Sequence, residues 1–80
     1  MANRLADVLA EYGATREAVT LFMEIAAAWD THGFVAQAIA IYRKVLRLDP
    51  LQVLAWERLA ALYRRRGLHG EAMRYASRLG

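Results

Sequence analysis

Chemically similar residues recur along this chain at a spacing of 34 positions. The matched pairs comprise two aromatic pairs, one aliphatic pair, two alanine pairs and one glycine pair: Phe22 and Trp56, Trp29 and Tyr63, Ile25 and Leu59, Ala26 and Ala60, Ala38 and Ala72, and Gly33 and Gly67. Such a period is typical of repeated helix-turn-helix units, each of which buries its apolar face against the next. The period predicts an all-α domain over residues 1–80, with an N-terminal helix or partial unit (1–18), a full unit (19–52) and a shorter unit (53–80).

Apolar residues at helical spacing predict five helices, separated by residues that end helices. The predicted ranges are 3–12, 16–32, 35–48, 51–66 and 70–79. Gly13, Gly33 and Gly67 follow three of these ranges, and glycine is the usual left-handed residue at a helix end. Pro50 ends the third helix, because its ring removes a backbone donor and clashes with the preceding turn. Thr15 is expected to cap the second helix with its hydroxyl.

The aromatic and small residues of this pattern are predicted to form the core and not a binding site. Small side chains let two helices approach closely, and aromatic rings fill the space around such contacts. The expected core residues of the repeated units are Phe22, Ala26, Trp29, Ala38, Tyr42, Trp56, Ala60, Tyr63 and Ala72. In the first helix the expected buried residues are Leu5, Val8, Leu9 and Tyr12.

The order of these residues resembles the tetratricopeptide repeat family. Residues 19–52 follow the family's spacing of aromatic, aliphatic, small, aromatic, Gly, Ala and Pro, and end with Leu48-Asp49-Pro50. Residues 53–80 follow it through Gly67 and Ala72, with Ala76 where an aromatic residue is usual. The resemblance implies a right-handed solenoid of antiparallel helix-turn-helix units that acts as an adaptor or scaffold by holding another protein or a peptide.

In the family that this sequence resembles, the first helices of successive repeats line a concave groove that takes an extended or helical partner segment. Carried over by position, the groove residues here are Thr20, Met23, Ala27, Asp30 and Thr31 from one repeat, and Leu54, Glu57, Arg58, Ala61, Arg64 and Arg65 from the next. A shallow apolar floor edged by arginine would suit an acidic, amphipathic segment. Packing of Met23 and Leu54 against a neighbouring helix is an equal alternative, because helical spacing does not distinguish packing from groove exposure.

Charge is distributed unevenly over the 80 residues, whose net charge is +3. Residues 1–33 hold two basic and five acidic side chains, whereas residues 34–80 hold nine basic and three acidic ones. Fields of opposite sign steer encounters, so head-to-tail association of copies is the second predicted function. The last predicted helix would offer Met73, Ala76 and Leu79 as an apolar contact for this association.

The sequence offers little for catalysis or metal binding, and it predicts a protein that is not an enzyme and needs no cofactor. There is no cysteine, Ser77 is the one serine, and His32 and His69 lack neighbours at metal-ligand spacing. Both histidines are expected to be solvated turn residues. The run Arg64-Arg65-Arg66 ends a helix, where cations interact favourably with the helix dipole. Nucleic-acid binding through this run is therefore ranked third.

No membrane partner is expected, and the predicted location is cytoplasmic. The longest unbroken apolar stretches, such as residues 25–29, have five residues, whereas a membrane-spanning helix needs about 20. Arg4, Asp7 and Glu11 interrupt the first predicted helix, so a signal peptide is not predicted.

Overall fold

The computed structural model describes residues 2–79, with the side chains of residues 4–78. Over this range the chain is 83% helical and has no strand, which confirms the prediction of an all-α chain with five helices. The α-helices are α1 (Ala2–Glu11), α2 (Thr15–Thr31), α3 (Val35–Leu48), α4 (Val53–Arg65) and α5 (His69–Ala76). A single 3-10 turn, Ser77–Leu79, follows α5.

The helices pack in chain order: α1 on α2, α2 on α3, α3 on α4 and α4 on α5. The Cα atoms span 36 × 28 × 13 Å. The longest helix, α2, has 17 residues and is therefore about 25 Å long at 1.5 Å per residue, close to the middle dimension. Because packed helix axes lie about 8–10 Å apart, a thickness of 13 Å allows no more than two layers of helices. The chain thus forms a flat, elongated slab.

The core is one continuous cluster of apolar side chains that joins α1 to α5. Its largest fully buried members include Tyr42, Phe22 and Leu59. Ala38 on α3 is 0% exposed and Ala72 on α5 is 3% exposed, which agrees with the prediction that small residues lie where helices approach closely. The core therefore follows most of the predicted apolar positions. Trp29 and Trp56, also predicted as core residues, are only half-buried, because Trp29 packs against the exposed Phe34 and Trp56 lines a surface cavity.

Two residues predicted to be buried in α1 are exposed instead. Leu5 is 56% exposed and Tyr12 is 84% exposed. The prediction was wrong for two physical reasons: α1 is packed mainly against α2, and Tyr12 lies in the turn after the helix has ended. Val8 and Leu9 are half-buried, while Ala6 is the fully buried contact of α1.

Three of the four turns between helices share one geometry. The φ angles of Gly13, Gly33 and Gly67 are 81°, 84° and 76°. In each turn two backbone N–H groups donate back into the preceding helix; for example, the N–H of Phe34 donates to the carbonyl of Trp29 at 2.9 Å. This is the Schellman motif, which satisfies the last carbonyls of a helix. The rings of Trp29 and Phe34 also meet edge to face, with centroids 5.3 Å apart.

These turns give a prediction with its own control. An added Cβ at Gly33 would meet no atom within 4 Å, so Gly33→Ala should lower the free energy of unfolding through backbone strain alone, by about 1–2 kcal/mol. Gly70 also faces open space but lies within α5, so Gly70→Ala should raise the free energy of unfolding by roughly 0.5–1 kcal/mol. Urea unfolding monitored by circular dichroism measures both, and a Gly33→Ala variant no less stable than wild type would contradict the turn geometry.

The fourth connection, between α3 and α4, is built differently and delays the start of α4. The Asp49 carboxylate accepts the N–H of Leu51 at 3.2 Å, and the Asp49 carbonyl accepts the N–H of Gln52 at 3.2 Å. These bonds hold Pro50 and Leu51 in a turn, so α4 begins two residues later than predicted. The indole N–H of Trp56 donates to the Pro50 carbonyl at 2.8 Å, which fixes the turn against α4.

The predicted Thr15 cap is also wrong. Thr15 is the first residue of α2, and Ala14 occupies the cap position without a side-chain hydrogen bond. The reason is that the Ala14 carbonyl accepts the first helical hydrogen bond, from the N–H of Ala18 at 2.9 Å. The preceding Schellman turn therefore determines where α2 begins.

Candidate functional site

The residues predicted to bind a partner lie on α2 and α4, which run in the same direction with α3 returning between them. Near the starts of the two helices, Thr20 and Gln52 line a common cavity of about 470 Å³. Near their ends, the Arg65 guanidinium donates to the Asp30 carboxylate at 2.6 Å. Corresponding ends of the two helices thus meet. The strip between them, here called the α2–α4 groove, extends about 15 Å from Thr20 to Asp30 at 1.5 Å per residue.

The α2 wall of this groove is partly occupied by the fold itself. Met23 is half-buried and packs against the core, so the packing alternative holds in part for this residue. The hydroxyls of Thr20 and Thr31 donate to the carbonyls of Arg16 and Ala27 at 3.0 and 2.9 Å, a local bond common for helical threonine. Ala27 is exposed. The α2 wall therefore presents mainly apolar surface.

The α4 wall is more open and carries charge. Leu54 is 42% exposed, which favours groove exposure over packing for this residue. Glu57, Arg58 and Arg64 are exposed, and Ala61 is half-buried. The α4 wall thus offers one large apolar side chain and a small one beside charges of both signs.

Tyr42 on α3 is the core residue that the sequence predicts, and it lies near charged residues of the α2–α4 groove. It is 2% exposed, and burial raises the pKa of its phenol. Arg58 on α4 lowers that pKa and Asp30 on α2 raises it, so both charges lie near the phenol. Tyr42 therefore lies buried beneath the groove, near charges of opposite sign.

The basic run at the end of α4 does not act as one patch. Arg65 is paired with Asp30, while Arg64 and Arg66 are exposed. Consecutive residues also point in different directions around a helix. Among the described side chains, the ion pairs are Arg65 with Asp30, Lys44 with Asp7 and Arg74 with Glu71. Arg58 is therefore a groove cation that takes part in none of these pairs.

The predicted self-association residues lie away from the groove, on the last helix. Met73 is 73% exposed and Ala76 is half-buried. The side chain of Leu79 lies outside the described residues. Met73 is thus an exposed apolar side chain at the α5 end of the row of helices.

The two histidines lie where they were predicted, in or beside turns. His32 follows α2 and His69 begins α5, and both are exposed. Across the described residues, no three His, Asp or Glu side chains are grouped closely enough to hold a metal ion. The same part of the chain contains no helix with the length and apolar character needed to cross a membrane.

The groove can hold a chain segment through apolar contact and charge pairing. Ala27 and Leu54 provide exposed apolar surface, and Arg58 and Glu57 provide exposed charge. Proteins hold amphipathic helices and extended peptides with surfaces of this kind. No protein-family model matches this sequence, and no curated protein matches it either.

Proposed function

We propose that this protein is a protein-protein interaction module, an adaptor or scaffold and not an enzyme, that holds a partner segment along the α2–α4 groove. The parallel course of α2 and α4 above Tyr42 carries the proposal, because it places exposed Ala27 and Leu54 on facing walls. Arg58, on the same wall as Leu54, takes part in none of the ion pairs formed by the described side chains. An acidic, amphipathic segment with apolar side chains on one face would complement this surface.

Repeated geometry supports the proposal that the hairpins α2–α3 and α4–α5 are two units of the tetratricopeptide type. Gly33 and Gly67 stand 34 positions apart and close their hairpins with similar φ angles, 84° and 76°. Ala38 and Ala72, also 34 positions apart, are both buried, at 0% and 3% exposure. The flat, elongated slab is the shape expected when helical hairpins stack side by side. In such a stack, α2 and α4 are the first helices of successive units.

Peptides selected from a phage-displayed random library on the immobilised protein provide probes for the groove. Titration of a selected peptide into ¹⁵N-labelled protein should shift the amide resonances of α2 and α4. Arg58→Glu should weaken binding of an acidic peptide about tenfold or more, because the charge that pairs with the peptide is reversed. Arg66→Glu is the matched control, since it makes the same charge change at an exposed position after α4.

Arg65 is unsuitable for this test, because Arg65→Glu would place a second carboxylate against Asp30. The groove assignment would be wrong if selected peptides shifted only amides of α5 and bound the Arg58→Glu variant with unchanged Kd. Equal loss of affinity in the Arg58→Glu and Arg66→Glu variants would also contradict it, because that result indicates a general charge effect.

Exposed apolar side chains at both ends of the row favour self-association as the second candidate function. Leu5 and Tyr12 are 56% and 84% exposed near α1, and Met73 is 73% exposed on α5. Light scattering after size-exclusion chromatography, over a range of protein and salt concentrations, tests this alternative. A mass that exceeds 9.0 kDa and returns to it in Met73→Lys would support assembly. A constant 9.0 kDa at every concentration would reject it.

A further inference from the structure

A second cavity, here called the α3–α5 cleft, opens on the other side of α4. It has a volume of about 600 Å³, and its lining includes Arg43 and Arg47 from α3, Trp56 from α4, Tyr75 from α5 and Arg78 from the final 3-10 turn. Trp56 lies two positions after groove residue Leu54, which is about 200° around a helix. The cleft is therefore distinct from the α2–α4 groove.

Positive charge is concentrated in the cleft. Arg43 and Arg47 lie one turn apart on α3, and Arg78 comes from the 3-10 turn after α5. None of the described side chains that line the cavity is acidic. None of the three arginines takes part in the ion pairs formed by the described residues. A concave surface of one charge sign attracts ligands of the opposite sign.

Aromatic side chains form a fixed apolar wall in the same cleft. The Arg78 guanidinium lies 5.4 Å from the centroid of the Trp56 ring, and the Trp56 and Tyr75 centroids are also 5.4 Å apart. Tyr75 stacks on Tyr63 with centroids 5.3 Å apart. The indole N–H of Trp56 donates a hydrogen bond to the Pro50 carbonyl. The wall is thus organised before any ligand binds.

This arrangement favours a carboxylate ligand over a nucleic acid. Single-stranded nucleic acids need aromatic rings on which their bases can stack. Here Trp56 and Tyr75 already contact each other, Arg78 and Tyr63. Guanidinium groups form paired hydrogen bonds with carboxylates and with phosphates, so the preference for an acidic peptide rests on the lack of a free ring face for base stacking.

We propose that the α3–α5 cleft binds an acidic peptide segment, with carboxylates on Arg43, Arg47 and Arg78 and an apolar side chain against Trp56 and Tyr75. The spacing of the arginines supports this. Arg43 and Arg47 are four positions apart on a helix, which is about 6 Å. Acidic residues two positions apart in an extended segment are separated by about 6.6 Å. The pattern Glu-apolar-Glu therefore fits the cleft.

A labelled peptide of about ten residues, more than enough to cross the cleft, tests the proposal. It carries Glu-Leu-Glu between Gly-Ser flanks, and its counterpart carries Gln-Leu-Gln. Fluorescence anisotropy should show that wild-type protein prefers the Glu peptide. The double variant Arg43→Glu and Arg47→Glu should bind this peptide at least about tenfold more weakly. The control variant Arg4→Glu with Arg66→Glu, at two exposed positions outside both the groove and the cleft, should stay within about threefold.

The two double variants change net charge equally, so equal loss of affinity in both would overturn the proposal. Failure of the wild-type protein to bind the Glu peptide, or equal affinity for the Gln peptide, would overturn it too. So would tight binding of a labelled oligouridylate that the cleft variant abolishes, because that result identifies a nucleic-acid site. Self-association through the cleft would appear as a fall in molar mass in the cleft variant, and would likewise overturn it.

The experiments distinguish failure of the cleft proposal from failure of the proposed groove function. If Arg58→Glu abolishes binding of the Glu peptide and the cleft variant does not, the peptide occupies the groove and the cleft proposal fails alone. Circular dichroism checks that each variant is folded. If the double Glu variant does not fold, Arg43→Gln with Arg47→Gln replaces it, and this neutral variant should still bind the Glu peptide at least about threefold more weakly than wild type.

Discussion

Phe22→Ala is expected to lower the free energy of unfolding by about 3–5 kcal/mol. Phe22 is 1% exposed, belongs to the cluster that joins α1 to α5, and has the Lys44 ammonium 5.3 Å from its ring centroid. Removing the ring would leave a cavity that close-packed neighbours fill only in part. Domains of this length have total stabilities of roughly 4–12 kcal/mol, so the variant should lose a large share of its stability.

Urea unfolding at 222 nm measures this loss as a shift of the transition midpoint. Leu51→Ala is the matched control, since it also truncates a large apolar side chain, but one that is 87% exposed in the turn before α4. Its free energy of unfolding should change by no more than about 0.5 kcal/mol. Similar midpoints for the two variants would show that Phe22 does not hold the helices together.

Helix positions could be predicted from the sequence wherever strong terminators stand on both sides. α3 lies at its predicted bounds, Val35–Leu48, because Gly33 and Pro50 limit it. The predicted start of α4 was wrong, since periodicity contains no information on the hydrogen bond that the Leu51 N–H donates to the Asp49 carboxylate. The predicted burial of Tyr12 was wrong because burial depends on what lies opposite a side chain. Local pattern therefore predicts helices better than it predicts their surroundings.

The groove residues could be named from the sequence only through the family resemblance. The contacts that these residues make could not be predicted from the sequence. Asp30 and Arg65 stand 35 positions apart, so their ion pair requires α2 and α4 to lie alongside each other. The nearness of Tyr42 to both Asp30 and Arg58 also depends on this packing, because its sequence position indicates only a buried aromatic ring.

The α3–α5 cleft escaped sequence reasoning for a similar reason. Its cations come from two segments, with Arg78 lying 31 positions after Arg47. The one local signal was the pair Arg43 and Arg47, one turn apart on the predicted third helix. The run Arg64-Arg65-Arg66 drew attention because it is contiguous in sequence. The fold instead gathers the separated arginines around Trp56 and Tyr75.

Ala38→Leu is expected to lower the free energy of unfolding by about 1–3 kcal/mol, because a larger side chain must be forced into a filled space. Ala38 on α3 is 0% exposed and belongs to the core cluster. At such contacts a small side chain lets two helix axes approach to the near end of the usual 8–10 Å range. Leucine there would push the helices apart or take an unfavourable rotamer.

Ala36→Leu is the matched control, because it makes the same change two positions earlier on α3, where the side chain is exposed. Both variants have nearly the same helix propensity, so a difference between their urea midpoints reports packing alone. Ala72→Leu should cost about as much as Ala38→Leu if α2–α3 and α4–α5 are equivalent units, since Ala72 is 3% exposed and stands 34 positions later. A neutral Ala38→Leu would refute close helix packing at this position, and a neutral Ala72→Leu alone would refute the equivalence of the two hairpins.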